Sequence, residues 1–309
     1  MLRLYDVSSG RVTAIRPAHP RELRVLAVTA GGRGEPGAGQ LRAWLLPDLI
    51  RRCAERRSLV PTVCEITGPV TDGISVDLSA AAAVPDHAAA RAALNIHPPA
   101  RIALASEPAE RTAEYVAPGR PSGRTGGPPP FDIGTGEPGW FAGRDFVRHL
   151  AAPAGAVTAG PPEQGGAVTA GPPEQAGGSG PLTLPDLAAR GLDPLTLRLV
   201  FLGQRYRDDL TLTWDALHAA GKTLQWWRES VAEWALSPSA PISPRYADAV
   251  VAAFEDDLDT PAALRELGAL EADGDIPAGA KFETFAALDR LFGLDLARDI
   301  GKASAPRTR

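Results

Sequence analysis

The first continuous apolar run, LRVLAV at Leu23 to Val28, is short and β-branched, and Gly31 to Gly39 follows it with turn chemistry. A strand entering a glycine loop is predicted. Beyond the loop Leu41, Trp44, Leu45, Leu49, Ile50 and Cys53 recur near helical spacing, while Arg42, Asp48, Arg51, Arg52, Glu55 and Arg56 occupy the other face. That pattern predicts a long amphipathic helix with a kink at Pro47. LVPTVCEI at Leu59 to Ile66 reads as a second, parallel strand. It closes a β-loop-α-β unit and puts the glycine loop at the C-terminal edge of the sheet, where open α/β folds bind ligands.

The middle is less regular. Ala80 to Leu94 is alanine-rich and predicts a helix, Arg101 to Ala105 predicts a short strand, and Ala117 to Gly139 is crowded with Gly and Pro. An identical ten-residue stretch, GAVTAGPPEQ, occurs at Gly155 to Gln164 and again at Gly166 to Gln175, and reads as a flexible linker because two copies do not make a solenoid. The last third predicts helices almost throughout. Asp193-Pro194 opens one as N-cap and first-position proline, Thr213 caps another that carries Leu217, Leu224, Trp227, Val231 and Trp234, and Ser243-Pro244 and Thr260-Pro261 open two more. Phe282, Phe285, Leu288, Leu291 and Phe292 form a final apolar stripe. Short loops between such helices predict an antiparallel bundle.

Composition narrows the classes. Of 309 residues 44% are hydrophobic and 22% charged, and no apolar run approaches 20 residues, so no transmembrane helix is expected. Met1 to Asp6 lacks a basic segment followed by an apolar one, so a cytoplasmic location is expected. The formal net charge of −5 offers no basic footprint for a polyanion. Two cysteines, Cys53 and Cys64, cannot build a disulfide framework or a cysteine-rich zinc site, and both are expected to be reduced and buried.

Candidate chemistry is sparse. Gly32-Arg33-Gly34-Glu35-Pro36-Gly37 is a formal GxGxxG between strand and helix, with Glu65 as a ribose partner, yet Pro36 removes one amide from the cradle, and a plain loop is the simpler reading. Glu255, Asp256, Asp257 and Asp259 could hold a divalent cation, but such clusters more often cap the next helix. His19, His87, His97, His149 and His218 show no metal-ligand spacing. GxSxG, Walker and HExxH motifs are absent, and Trp226-Trp227 and Trp234 sit at helix-packing positions.

Several segments, taken in order, carry a resemblance. They are Leu4-Tyr5-Asp6, Gly10-Arg11-Val12, LRVLAV, LRAWLLPDLIRRCAERR (Leu41 to Arg57), VPTVCEIT (Val60 to Thr67), Pro138-Gly139-Trp140, LPDLAARGLDPLTLRLVFLGQRYRDDLTLTWDAL (Leu184 to Leu217) and FEDDLDTPAAL (Phe254 to Leu264). The sequence resembles cysteinyl-tRNA synthetases, class I aminoacyl-tRNA synthetases, and within them a shortened, motif-degenerate actinobacterial-type paralogue. The resemblance implies a reduced α/β Rossmann-like domain over residues 1–150, a Gly/Ala/Pro-rich linker over 151–182 and an all-α helical bundle over 183–309. It implies ATP and cysteine as ligands and tRNA as acceptor.

Carried over position by position, the family's functional residues are missing. The HIGH tetrapeptide falls on Gly37-Ala38-Gly39-Gln40, leaving Gly37, Gly39 and Gln40 as candidate nucleotide contacts. Gln40 can offer one neutral hydrogen bond but no imidazolium. The first zinc cysteine falls on Val28, the second zinc-ligand stretch on Phe141-Ala142-Gly143-Arg144, and the KMSKS lysines within Pro173 to Gly178, where no lysine occurs. Zinc is therefore not expected, and turnover is expected to be impaired, because each such charged contact contributes about 2.7–4 kcal/mol at the transition state. No anticodon-binding segment follows the bundle before Arg309, so tRNA selection is not expected either. Two alternatives stay open: a non-catalytic protein whose bundle holds a protein or RNA partner, and a residual ATP-dependent amino-acid ligase.

Overall fold

The computed structural model describes residues 1–17, 20–29, 35–67, 75–76, 87–106, 131–136, 147–159 and 182–302. Outside these residues lie Gly32 to Gly34 of the formal GxGxxG, the start of the helix expected from Ala80, most of the Gly/Pro-rich stretch at 117–139, Pro138-Gly139-Trp140, Phe141 to Arg144, the KMSKS-equivalent stretch at 173–178, His19 and the tail beyond Lys302.

The elements in chain order are β1 (Arg3–Asp6), β2 (Arg11–Ala14), β3 (Glu22–Thr29), α1 (Ala38–Arg56), β4 (Val60–Thr67), β5 (Ser75–Val76), α2 (Ala88–Ala93), β6 (Arg101–Ser106), β7 (Phe131–Thr135), β8 (Val147–Ala151), β9 (Val157–Ala159), α3 (Leu184–Ala189), α4 (Pro194–Leu202), β10 (Leu210–Leu212), α5 (Trp214–Trp234), α6 (Pro244–Glu255), α7 (Thr260–Ala272) and α8 (Ala278–Phe292). This is an α/β fold. Its main sheet runs β2-β1-β8-β7-β3-β4-β6-β5, with β9 and β10 paired separately. The five inner strands β8, β7, β3, β4 and β6 are mutually parallel, and β1, β2 and β5 join antiparallel at the two edges. The predicted strand pair is present: β3 and β4 run parallel in register from Glu22 opposite Val60 to Thr29 opposite Thr67.

Helix α1 runs unbroken through Pro47. It packs on β3 and β4 with one side and on α4, α8 and β9 with the other, so it is covered nearly all round. Its polar face is covered as well as its apolar one: Arg42, Asp48, Arg51 and Arg52 are buried. Gly39 in its first turn and Glu55 and Arg56 in its last are exposed.

In the C-terminal third the helix starts follow their local chemistry. The Asp193 carboxylate accepts from the Leu195 amide (2.8 Å) and the Thr213 hydroxyl from the Ala216 amide (3.1 Å). The start expected at Thr260 shifts by one residue, because Asp259 is the residue that accepts from the Ala262 amide (3.0 Å). Helices α4 and α5 pack together, as do α6 and α7. Trp227 and Trp234 both meet Phe285 of α8 edge-on, with ring centroids 6.3 and 5.1 Å apart, whereas Trp226 is exposed and donates to Glu271 (3.1 Å). The stretch is not purely helical: β10 lies in it and pairs in parallel with β9, which comes from the first copy of the repeated decapeptide. One contiguous apolar core joins Leu23 and Trp44 under the sheet to Phe254, Phe285 and Phe292 between the helices.

Candidate functional site

The C-terminal edge of the parallel strands and the head of α1 form the place where a nucleotide would meet this kind of sheet. Gly37 is the N-cap of α1, extended at φ −76° and ψ 166°, and makes no side-chain cap. The Ala38 amide donates to the Leu182 carbonyl (2.8 Å), so one first-turn donor is already engaged within the chain. Gly39 is exposed with open space where a Cβ would sit, and Gln40 is half-buried. Positions 37–40 carry no ionisable side chain. The first cation of the helix, Arg42, is turned inward: it donates to the carbonyls of Gly155 (3.0 Å), Asp208 (2.7 Å) and Arg205 (2.9 Å), which clasps the β9 and β10 loops onto α1. Val28, near the end of β3, is half-buried and presents an isopropyl group where a metal would need a thiolate.

Glu65, near the end of β4, is not placed to receive a ribose. It is buried, accepts from the Trp44 indole nitrogen (2.9 Å) and is ion-paired to Arg91, whose guanidinium stacks on the Trp44 ring at 4.0 Å. A carboxylate held this way orients a core tryptophan.

The acidic cluster likewise serves structure. Glu255 accepts from Arg57 (2.6 and 2.7 Å) and from the N-terminal amine (2.6 Å), which hold its carboxyl below the usual range. Asp256 meets Arg3 (3.0 Å), and Asp257 accepts from the Tyr5 amide (2.7 Å), the Tyr206 hydroxyl (3.0 Å) and Arg207 (2.8 Å). Strand β1 is in this way tied to the turn between α6 and α7. Of the histidines, His149 is buried against Thr13 (3.1 Å), and burial pushes its pKa down, while His97 meets Arg51 (2.7 Å) and the His87 ring lies 5.5 Å from that of Trp44. Among the described residues no group of three or more His, Cys, Asp and Glu is disposed to hold a metal ion. Cys53 and Cys64 are both buried thiols outside any disulfide.

The strongest electrostatic feature is one that periodicity missed. Asp48 of α1, with a side chain 1% exposed, accepts from Arg52 (2.7 Å), Arg198 of α4 (2.9 Å), Arg51 (3.1 Å) and the His97 amide (3.3 Å). Burial would raise its pKa, but Arg198, His97 and Arg52 together hold it well below the usual carboxylate range. Arg198 is fully buried, and its remaining donors reach the carbonyls of Phe292 (2.6 Å) and Leu94 (2.9 Å). Arg52 reaches those of Arg290 (2.8 Å) and Asn95 (2.6 Å). Gly293 seals the cluster with a left-handed φ of +66°, and any Cβ there would lie 2.8 Å from both guanidiniums. The network ties the sheet layer to the C-terminal helices; no donor in it faces the head of α1.

Comparison with known proteins agrees with this mixed picture. No family model matches the chain. It is 30% identical over 142 residues to a cysteine–tRNA ligase of Treponema denticola, which covers 38% of this chain and 29% of that protein. It is 35% identical over 114 residues to an L-cysteine:1D-myo-inositol 2-amino-2-deoxy-alpha-D-glucopyranoside ligase of Streptomyces griseus subsp. griseus, covering 36% and 27%. A cysteine–tRNA ligase of Opitutus terrae is 41% identical over 87 residues, covering 28% and 18%. The matched stretches span less than a third of these relatives. The chain is thus similar to cysteine ligases of two kinds over about a third of its length.

Proposed function

We propose that this chain is a cysteine ligase-like protein that no longer activates an amino acid. In this reading residues 1–150 are a degenerate Rossmann-like nucleotide-binding domain, 151–182 a linker and 183–309 a helical domain derived from the same ancestor. The observation that carries it is the head of α1: positions 37–40 hold no charged side chain, and Arg42 is engaged by three carbonyls of its own chain. Adenylate formation needs cationic donors aimed at the departing pyrophosphate, and backbone amides beside Gln40 supply only neutral ones. Gly37, Gly39 and Gln40 remain the contacts an adenosine phosphate would use, and zinc has no ligand at Val28. The protein acts in the cytoplasm by holding a protein partner on its helices, and tRNA is not its substrate.

Residual ATP-dependent amino-acid ligation is the second reading, favoured by the 35% identity to the ligase that joins L-cysteine to an amino sugar. Pyrophosphate exchange with cysteine, together with calorimetric titration of ATP and a non-hydrolysable cysteinyl-adenylate mimic, separates the two. The first reading expects no exchange above background and no saturable heat at millimolar ligand. Saturable micromolar binding of the mimic with measurable exchange would overturn it.

A further inference from the structure

Away from the sheet edge, α4, α5 and Asp299 line a hollow of about 340 Å³. His218, Gly221, Lys222 and Gln225 face it from α5 at positions i, i+3, i+4 and i+7, which is one side of a helix. Two features of the hollow are unsatisfied. Lys222 and His218 are exposed and, among the described residues, engaged in no ion pair or hydrogen bond. In the floor, Thr196 is completely buried and its hydroxyl has no hydrogen-bond partner, an unusual state for a buried polar atom. That hydroxyl lies 3.6 Å from the point a Gly221 Cβ would occupy, so the missing side chain is what leaves the space above it open.

The carboxylates nearby do not cancel the charge. Asp193 accepts from the Leu195 amide (2.8 Å) and Arg228 (2.8 Å) and is ion-paired to Arg298, while Asp299 is paired to Lys302 (2.7 Å). The local balance is cationic, with an ammonium and an imidazole one helical turn apart above an orphaned hydroxyl.

We propose that this hollow binds a phosphate group, with Lys222 supplying the charge, His218 a second donor and the Thr196 hydroxyl a contact in the floor. A tetrahedral oxyanion carries more charge than a carboxylate and presents acceptor oxygens outside a single plane, which suits donors that come from two helices. The site is independent of the head of α1 and does not rest on the function proposed above.

Calorimetric titration of the full chain with inorganic phosphate and with methyl phosphate, at constant ionic strength and with acetate as control, tests it. Saturable binding of either phosphate is expected, weakened at least about fivefold in Lys222→Ala and in His218→Ala, with acetate silent. Equal affinity for methyl phosphate assigns an organic monoester, and binding confined to the inorganic ion assigns free phosphate. Gly221→Ala separates binding from folding. Its methyl would sit 3.5–3.6 Å from Leu192 and Thr196, an ordinary contact, in the middle of a helix. The melting temperature should hold or rise while phosphate affinity falls. Heat that does not saturate, an affinity untouched by Lys222→Ala, or equal binding of acetate would each overturn the proposal.

Discussion

Replacing Asp48 by Asn tests whether the buried charge cluster holds the two layers of the molecule together. The substitution keeps the shape of the side chain and removes the charge that Arg198 and Arg52 face at 2.9 and 2.7 Å. Arg198 is fully buried, and burial pulls its pKa down to about 10 even with Asp48 beside it; without that charge it faces carbonyls and, at longer range, Asp289. Breaking such a pair from one side costs about 3–5 kcal/mol, well above the value of an exposed ion pair. Urea unfolding followed by tryptophan fluorescence should show that loss at pH 7. Asp48→Asn combined with Arg198→Met should recover about half of it, because an apolar side chain needs no counter-charge. The pH dependence has a fixed sign. The folded carboxyl titrates well below its ordinary 3.8, so its stabilisation is complete above that value and is lost as pH falls through the folded pKa. The acid limb of stability should therefore flatten in Asp48→Asn. A loss under about 1 kcal/mol at pH 7, or no recovery in the double variant, would refute the assignment.

Three further outcomes follow from the same geometry. Gly293→Ala places a methyl group 2.8 Å from the Arg52 and Arg198 guanidiniums at a φ of +66°, so it should destabilise by about 2–4 kcal/mol in urea, from strain and overpacking combined; a neutral result would mean that the segment after α8 relaxes freely. Glu65→Gln removes the carboxylate that pairs with the buried Arg91 and accepts from the Trp44 indole, and should cost about 3–5 kcal/mol while changing Trp44 emission; unchanged stability would show that the pair is dispensable. Burial pushes the Cys53 thiol up to about 12, so iodoacetamide at pH 8 should label it only on unfolding; labelling of the native protein at the rate of a free thiol would contradict that burial.

What the sequence made legible was local. Strands β3 and β4 and the caps at Asp193 and Thr213 rest on neighbours within a few residues, so run length, β-branching and capping chemistry were enough to place them. Asp48, Arg51 and Arg52 were legible only as the polar face of an amphipathic helix, because a single periodicity describes one contact layer, and α1 has two. The residues that cover its second face, Arg198 and Arg290, come 150 and 238 positions later. Strands β1 and β2 escaped notice for a related reason: each has four residues, and their partners lie either in each other or across the sheet at β8. The candidate site was legible as a place, a loop running into a helix start, because that much is local too. Its chemistry was not, since positions 37–40 carry no ionisable side chain and Gly32 to Gly34 of the loop lie outside the described residues.

The positions of the cations on α1 decide between a ligand-binding helix and a structural one. A helix that cradles phosphate attracts the anion with its N-terminal dipole, and cations that help must point at that anion. Here Arg42, in the second turn, is directed sideways into the β9 and β10 loops, and Arg51 and Arg52, two turns further on, close around Asp48. Each contact draws a guanidinium away from the sheet edge and toward a segment of the C-terminal third or the residues that pack on it. Restoring one charge at Gln40 would therefore not restore a cradle, since the supporting donors point elsewhere. It would add a lysine or histidine to an otherwise neutral helix start, where the dipole opposes a cation. The same directions make the helix a clasp, so that the sheet and the C-terminal helices should lose structure in a single transition, and separating them in two transitions would require Asp48 or Arg198 to be removed first.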